Sequence, residues 1–358
     1  MRVALLHPTY WPEVRRGAER LVHDLAGWLA RAGHDVTILT THRAGTAATD
    51  EDGVRVVRMW RAPDALFERR AYEYYLGTAP AQMWGLLRER FDVAQAFFPV
   101  SGWAALRARE LGGPPVVYSN MGIPTRKYLV SRRYRLPMHV ELARSATACT
   151  VLSEAAADPF RRYLQREPEV VPPGVATDEF AVEAERAEQP TIVYSGSPGD
   201  PRKRLRLLID AFGVLRHRRP NARLQLAGRR EPGFDVALPD GAEWVEGDRT
   251  ADLARTLAAA HVAVLPSIGE AFGLVLAEAL AAGTPVVATD AGASSEIVTP
   301  AVGRLFEADD RDSLADALEE ALDLNGSREH YRQHARQWDW AAIGPRYEAL
   351  LERAAEDR

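Results

Sequence analysis

Among 358 residues the chain carries a single cysteine, Cys149. That scarcity excludes an intrachain disulfide framework and any cysteine-rich metal site. No apolar run approaches the roughly 18 residues that suggest a membrane-spanning helix. The apolar stretch Val3–Leu6, which follows Met1 and Arg2, is too short for a secretory leader. Histidines, aspartates and glutamates show no metal-ligand spacing, so no metal is expected. A Gly-x-x-x-x-Gly-Lys-Ser/Thr run is also missing, which excludes a P-loop. An excess of positive charge is lacking as well. The 45 Lys and Arg residues stand against 50 Asp and Glu, a formal charge of −5. Nucleic acid is therefore not the expected partner, and a cytoplasmic protein is expected.

What remains is the composition of a globular chain, 46% apolar and 27% charged. Its length is too great for one core and suits two domains. The stretch Val262–Gly292 organises the reading. An apolar run, Val262-Ala263-Val264-Leu265-Pro266, breaks into Ser267-Ile268-Gly269-Glu270. A helix is predicted from Phe272 to Ala282, and Val286–Thr289 reads as the next strand. Strand, loop, helix, strand is the unit of a parallel sheet. Ligands of such sheets lie beyond the carboxyl ends of the strands, where free N–H groups opening a helix favour an anion such as a diphosphate. Glu270 stands before the helix and Glu278 inside it, roughly 9 Å along the axis from its start. The neighbours of Glu278 are apolar nearly all round, so its charge calls for a partner, and a ribose diol could donate two hydroxyls.

The pattern Pro266-Ser267, Glu270, Phe272-Gly273, Glu278-Ala279, Ala282-Gly283 and Pro285-Val286-Val287 resembles family 4 of the retaining glycosyltransferases. The resemblance extends over nearly the whole chain, more weakly in residues 50–150. It implies an α/β GT-B fold, two Rossmann-like domains facing each other across a cleft. It also implies transfer of a sugar from a UDP- or GDP-sugar to a hydroxyl acceptor on a lipid, glycan or secondary metabolite, without a metal or other cofactor. Rival readings are an epimerase or phosphorylase on the same fold, and a catalytically silent nucleotide-sugar binder. The expected domains are residues 1–183 on the acceptor side, 184–340 for the nucleotide-sugar, and a last helix, 341–358, crossing back to the first.

The first domain begins with strand Val3–Leu6, a loop from His7 and a helix from Gly17 or Ala18 to Ala32. The family usually has two glycines before this helix. Here Gly17 keeps the second place and Arg16 takes the first, without a glycine's backbone freedom. Arg15 and Arg16 could instead offer charge to a phosphate. Residues Thr41–Asp52 read as a polar loop, and Val54–Met59 as a strand at a sheet edge. Phe67, Tyr72, Tyr74 and Tyr75 lie in an aromatic segment that either walls the acceptor or stacks on the domain. After strand Pro115–Tyr118 the family often has His-Gly, where this chain has Met121-Gly122. Asn120, one place earlier, could hydrogen-bond a hydroxyl but cannot take its proton at neutral pH. The basic run Arg126–Arg135 has three readings: a solvated face, a site for an anionic acceptor, or contact with the inner face of a membrane. Cys149 reads as a buried small hydrophobe.

In the second domain, strand Thr191–Tyr194 runs into Ser195-Gly196-Ser197-Pro198-Gly199-Asp200-Pro201-Arg202-Lys203-Arg204. Glycines and cations at a strand end suit a diphosphate. The family places Arg after the first Gly and Lys seven residues past that Gly. Lys203 keeps its place, Ser197 occupies that of the Arg, and Arg202 or Arg204 could replace it. The resemblance thus implies Glu270, Lys203 and Asn120 as catalytic residues. Gly17, Arg16, Gly196, Ser197, Arg202, Arg204, Gly228, Phe272, Gly273, Leu274 and Glu278 would bind the nucleotide-sugar. Arg229, and Asp248 near the base, are lesser candidates.

Overall fold

The computed structural model describes residues 1–14, 16–65, 72–228, 236–245, 247 and 249–357. Arg15, Phe67, Arg229 and Asp248 lie outside the described residues. The chain forms two compact units, Met1–Gly174 with Ile343–Arg358, and Val175–Ala342. The division falls between Gly174 and Val175 rather than at 183. The reason is local: the Val175 N–H donates to Trp338 O at 2.7 Å, and the Thr177 hydroxyl bonds Asp339. Both bonds lie within the second unit.

The first unit is built on β1 (Arg2–Leu6), β2 (Asp35–His42), β3 (Ala47–Glu51), β4 (Val54–Trp60), β5 (Val93–Ala96), β6 (Val116–Asn120), β7 (Ala148–Val151) and β8 (Glu169–Val170). These eight strands lie in the order β3-β4-β2-β1-β5-β6-β7-β8. All pairs are parallel except β3 with β4. Strands of parallel sheets bury both faces, which is why Val3, Ala4, Leu5 and Leu6 are all fully buried. The polar loop expected at Thr41–Asp52 is therefore corrected, since it contains the edge strand β3, and β4 lies inside it. Asp52 and Gly53 take φ of 54° and 79°, the left-handed pair that closes a tight antiparallel hairpin. β3 is exposed along nearly its whole length, so no apolar alternation announced it.

The second unit has β9 (Thr191–Ser195), β10 (Arg223–Ala227), β11 (Ala242–Val245), β12 (Val262–Leu265), β13 (Val286–Thr289) and β14 (Gly303–Phe306). Their order is β11-β10-β9-β12-β13-β14, parallel throughout. This is the doubly wound order in which the chain leaves the first strand on one side and returns on the other. Ile192, Tyr194, Leu224, Leu226, Val262, Val264 and Val287 meet Leu208, Phe212, Leu314 and Leu318 in its core.

The last helix, Trp340–Glu356, contributes its residues from Ile343 onward to the first unit. There Tyr347 Oη donates to Val171 O at 3.3 Å, and His34 Nε2 lies 2.8 Å from Glu348. Gly344 admits the Trp28 ring: a β-carbon added there would stand 2.1 Å from its Cε2. Gly344→Ala is expected to lower stability by about 1–3 kcal/mol through overpacking, despite alanine's better helix propensity. Urea unfolding checks this, and an unchanged midpoint would refute the contact.

Candidate functional site

In the second unit the order of strands reverses between β9 and β12, so the crossovers part there and leave the carboxyl ends uncovered. Gly196 follows β9. A β-carbon at this position would meet the Tyr194 hydroxyl at 2.9 Å, so the close turn needs glycine. Asp200 then caps a one-turn 3-10 helix, Pro201–Lys203, by accepting the Arg202 N–H at 2.9 Å. Arg204 turns left-handed, φ 51°, into the helix Leu205–Arg218. From β12 the chain passes Gly269 at φ 72° and Gly273 at φ 101° before the helix Leu274–Ala281. Ile268 N–H donates to Arg202 O at 3.0 Å, and Ala293 N–H to Glu270 O at 3.1 Å. Three strand-end loops are thereby stitched together.

Their product is an ion pair. Lys203 Nζ lies 2.5 Å from Glu270 Oε1, with the side chains 23% and 19% exposed. The two residues singled out from separate motifs, 67 positions apart, neutralise each other at the switch point. Neither is sealed from solvent, so an anion can compete for the lysine.

The other expected nucleotide residues differ in what they do. Arg202 is paired with Asp200 at 2.6 Å, and Arg204 with Asp309. Both candidates for the missing arginine are engaged by carboxylates. Ser197 is exposed, and its carbonyl accepts the Asp200 N–H at 3.3 Å. Gly228 ends β10 at φ 130°, with its N–H to Val245 O at 3.2 Å. Phe272 is buried with its ring edge-on to Trp338, centroids 5.9 Å apart, and so packs the unit. The helix begins at Leu274 rather than Phe272, because left-handed Gly273 cannot continue it backwards. Glu278 is thus about 6 Å along the axis, one turn in, and only 2% exposed.

In the first unit the helix Gly17–Arg31 starts at Gly17. Arg16 before it has φ −128°, extended backbone open to any residue, so losing the family's glycine costs no strain. Asn120 is the last residue of β6 and is buried. Its Nδ2 donates to Gly122 O at 2.6 Å and its Oδ1 accepts from Tyr118 Oη at 3.3 Å. Both ends of the amide are engaged. The basic run is not one face. Arg135 is buried in a two-pronged pair with Glu73, at 2.5 and 2.6 Å, and Arg132 stacks 3.5 Å over Tyr74. Arg126, Lys127 and Arg133 remain exposed. Cys149 is buried as expected, and burial pushes its thiol up to about 12.

Sequence reasoning missed a cluster at the end of β1. Glu19, in the first turn of the helix, is 3% exposed and accepts the Thr9 hydroxyl at 2.7 Å. His7 Nδ1 lies 2.8 Å from Thr9 O and 3.9 Å from Glu19 Oε1. A lone acid in a first helical turn reads as solvated. Here the apolar strand before His7 was the only hint of burial. Among the described residues no group of three or more His, Cys, Asp or Glu could hold a metal, and no helix is long and apolar enough to cross a membrane.

Comparison with known proteins adds family identity to this geometry. The model for a glycosyl transferase 4-like domain matches residues 16–174, and that for glycosyl transferases group 1 matches residues 175–338. A phosphatidyl-myo-inositol mannosyltransferase of Propionibacterium freudenreichii subsp. shermanii is 27% identical, over 100% of this chain and 96% of that protein. Sucrose-phosphate synthase from Thermosynechococcus elongatus has the same fold, with a TM-score of 0.85 at 22% identity and full coverage of both chains. Anabaena HepE in complex with UDP-glucose aligns with a TM-score of 0.78 at 18% identity, over 98% of this chain and 99% of its own. The two family models abut at the junction where the chain divides into its two units, and the chain belongs to glycosyltransferase family 4: a GT-B-fold enzyme that moves sugar from a nucleoside-diphosphate sugar to an acceptor.

Proposed function

We propose that the chain is a retaining hexosyltransferase whose second unit binds a UDP- or GDP-sugar around the Lys203–Glu270 pair. That pair is the observation that carries the reading. A lysine and a glutamate brought together at a parallel-sheet switch point suit a ligand with a negative and a hydroxylated end. Lys203 takes the leaving diphosphate, whose growing charge a cation and the N–H groups opening a helix stabilise. Glu270, released from the lysine, accepts hydrogen bonds from sugar hydroxyls and favours positive charge on the ring as its bond to phosphate breaks. Glu278 holds the ribose. Attack from the face of departure preserves the anomeric configuration, with the leaving phosphate taking the acceptor's proton. No metal enters these steps.

The acceptor is a polyol hydroxyl. The mannosyltransferase relative is named for an inositol lipid, and inositol is the acceptor ring we assign here. Arg126, Lys127 and Arg133, with the exposed Val130 and Tyr134, provide cations and apolar groups for an anionic lipid surface. The epimerase and silent-binder readings stand as outcomes of the tests below.

A donor screen by mass spectrometry, with the product's anomeric configuration read by NMR, tests the reaction. Retention is expected. An inverted product, or a nucleotide-sugar isomer formed without acceptor, would overturn the reading, as would no donor turnover at all.

Glu270→Gln is expected to cut transfer about tenfold (about 1.4 kcal/mol), while free nucleoside diphosphate binds at least as tightly, since a carboxylate competing for Lys203 is gone. Lys203→Ala is expected to lose more than this in turnover. Turnover within twofold of the parent in either variant would remove its role. Glu278→Ala should weaken nucleoside diphosphate binding by about 1.5–3 kcal/mol, the size of a charged hydrogen bond, as read by calorimetry.

Sedimentation with vesicles tests the surface. Binding to anionic but not neutral phospholipid is expected, and loss of it when Arg126, Lys127 and Arg133 are changed to Ser. Equal, negligible sedimentation with both vesicles would remove the membrane contact.

A further inference from the structure

His7 directly follows β1, the strand on either side of which β2 and β5 diverge. It therefore occupies the switch point of the first unit, the place where an open parallel sheet receives a ligand. Only 4% of its surface is exposed. Its Nδ1 stands 2.8 Å from the Thr9 carbonyl oxygen. The Thr9 N–H also points at Nδ1, at the longer distance of 3.4 Å; the shorter contact is to a carbonyl, which can only accept, so Nδ1 carries the proton. Burial holds the imidazole below its ordinary range against the opposing pull of Glu19, so the ring is neutral and its other nitrogen carries the lone pair. That nitrogen, Nε2, has no hydrogen-bond partner among the described residues. Phe98 stands edge-on to the ring at 6.0 Å and Tyr75 edge-on to Phe98 at 5.6 Å, apolar surroundings that do not supply one. The backbone around the ring is held as well, because Gln82 Nε2 donates to His7 O at 3.1 Å.

Nε2 is not among the sealed side-chain atoms that lack a partner, so a ligand's donor can reach it, and a hydrogen bond formed there is made in surroundings of low polarity. A hydroxyl is the neutral donor that fits. Asn120, the residue first expected to meet a hydroxyl, has both ends of its amide bonded internally, and Met121 offers only a weakly accepting thioether.

We propose that His7 is the acceptor-contacting residue of this enzyme: its Nε2 accepts a hydrogen bond from a hydroxyl of the polyol acceptor and so orients that molecule, with Thr9 and Glu19 fixing the tautomer and the ring. This rests on the transferase reading above for the identity of the ligand as an acceptor. Glu19 and Thr9 are positioning residues in it. In this chain His7 offers the imidazole acceptor that Met121 cannot.

The rival is a bracket, in which His7 merely ties the strand end through Nδ1 to Thr9. Two isosteres separate the two. Asparagine keeps an N–H near the Nδ1 position and lacks an atom at Nε2. Glutamine extends to the Nε2 position and gives up the Thr9 bond. Each variant of the full chain is assayed with the best donor from the screen, with myo-inositol, glycerol and methyl α-D-mannopyranoside as acceptor probes and with water alone. Expected for His7→Asn is a loss of at least tenfold in kcat/KM for the polyol. Its donor hydrolysis and nucleoside diphosphate affinity should stay within twofold of the parent, which also shows that it is folded. His7→Gln should keep at least a third of the parent's polyol kcat/KM. Full polyol transfer by His7→Asn, or a larger loss in His7→Gln than in His7→Asn, overturns the proposal in favour of the bracket. Should the parent turn over no nucleotide-sugar, the transferase reading fails. His7 is then judged by NMR of the 15N-labelled ring titrated with the same polyols. A shift of the Nε2 resonance supports the contact, and a resonance fixed against all three polyols overturns it.

Discussion

Parallel strands cannot be joined by tight turns, and each connection must cross over the face of the sheet. Where the chain leaves β9 on one side for β10 and resumes on the other with β12, the covering helices part. The strand ends there are left with open loops and helix N-termini whose backbone groups have no partner inside the helix. The geometry of the candidate site in the second unit depends on that parting. It brings the loop after Ser195 against the loop after Pro266, joined by the bond from Ile268 to Arg202. It is also what allows a lysine and a glutamate from different βα units to share one ion pair. The first unit has the same parting around β1, between β2 and β5.

The two switch points have been given different chemistry. Around β9 and β12 the side chains are charged and paired: Lys203 with Glu270, Arg202 with Asp200, Arg204 with Asp309. Only the first pair has both members partly buried. The other two have one member mostly in solvent, where such pairs contribute little stability. Around β1 the groups are buried and tied by hydrogen bonds through Thr9, with the imidazole kept neutral by desolvation. A crevice with an accessible lysine suits a diphosphate, and one that presents a neutral imidazole suits hydroxyls. The same division of labour runs through the aromatic and basic segment. Glu73 takes Arg135 into the interior, and the tyrosines at 72 and 74 lie against the guanidinium groups of Arg133 and Arg132. Only the cations left at the surface are available to a partner.

Much of this was legible from the residues alone. Apolar runs of four or five residues, each followed by a loop and a helical period, determined the parallel strands and their helices, because a strand buried on both faces has no room for polar alternation. The glycines and charged residues at strand ends marked the loops that the fold gathers at the switch point of the second unit. Lys203, Glu270 and Glu278 stood out as candidates from spacing and family resemblance, each within a few residues of a strand end or a helix start. Tertiary structure alone decided the partners. Arg202 and Arg204 look as available in sequence as Lys203, yet Asp200 and the distant Asp309 engage them. Asn120 looks free to bind, yet Tyr118 and Gly122 use its amide. β3 has no hydrophobic pattern and exists because β4 offers it an edge. Glu19 and His7 read as an ordinary helical acid and a loop histidine until the fold buries both beside Thr9. Local sequence determines backbone direction and which faces are apolar, whereas the pairing of polar groups is set by distances across the sheet, between residues that sequence places tens of positions apart.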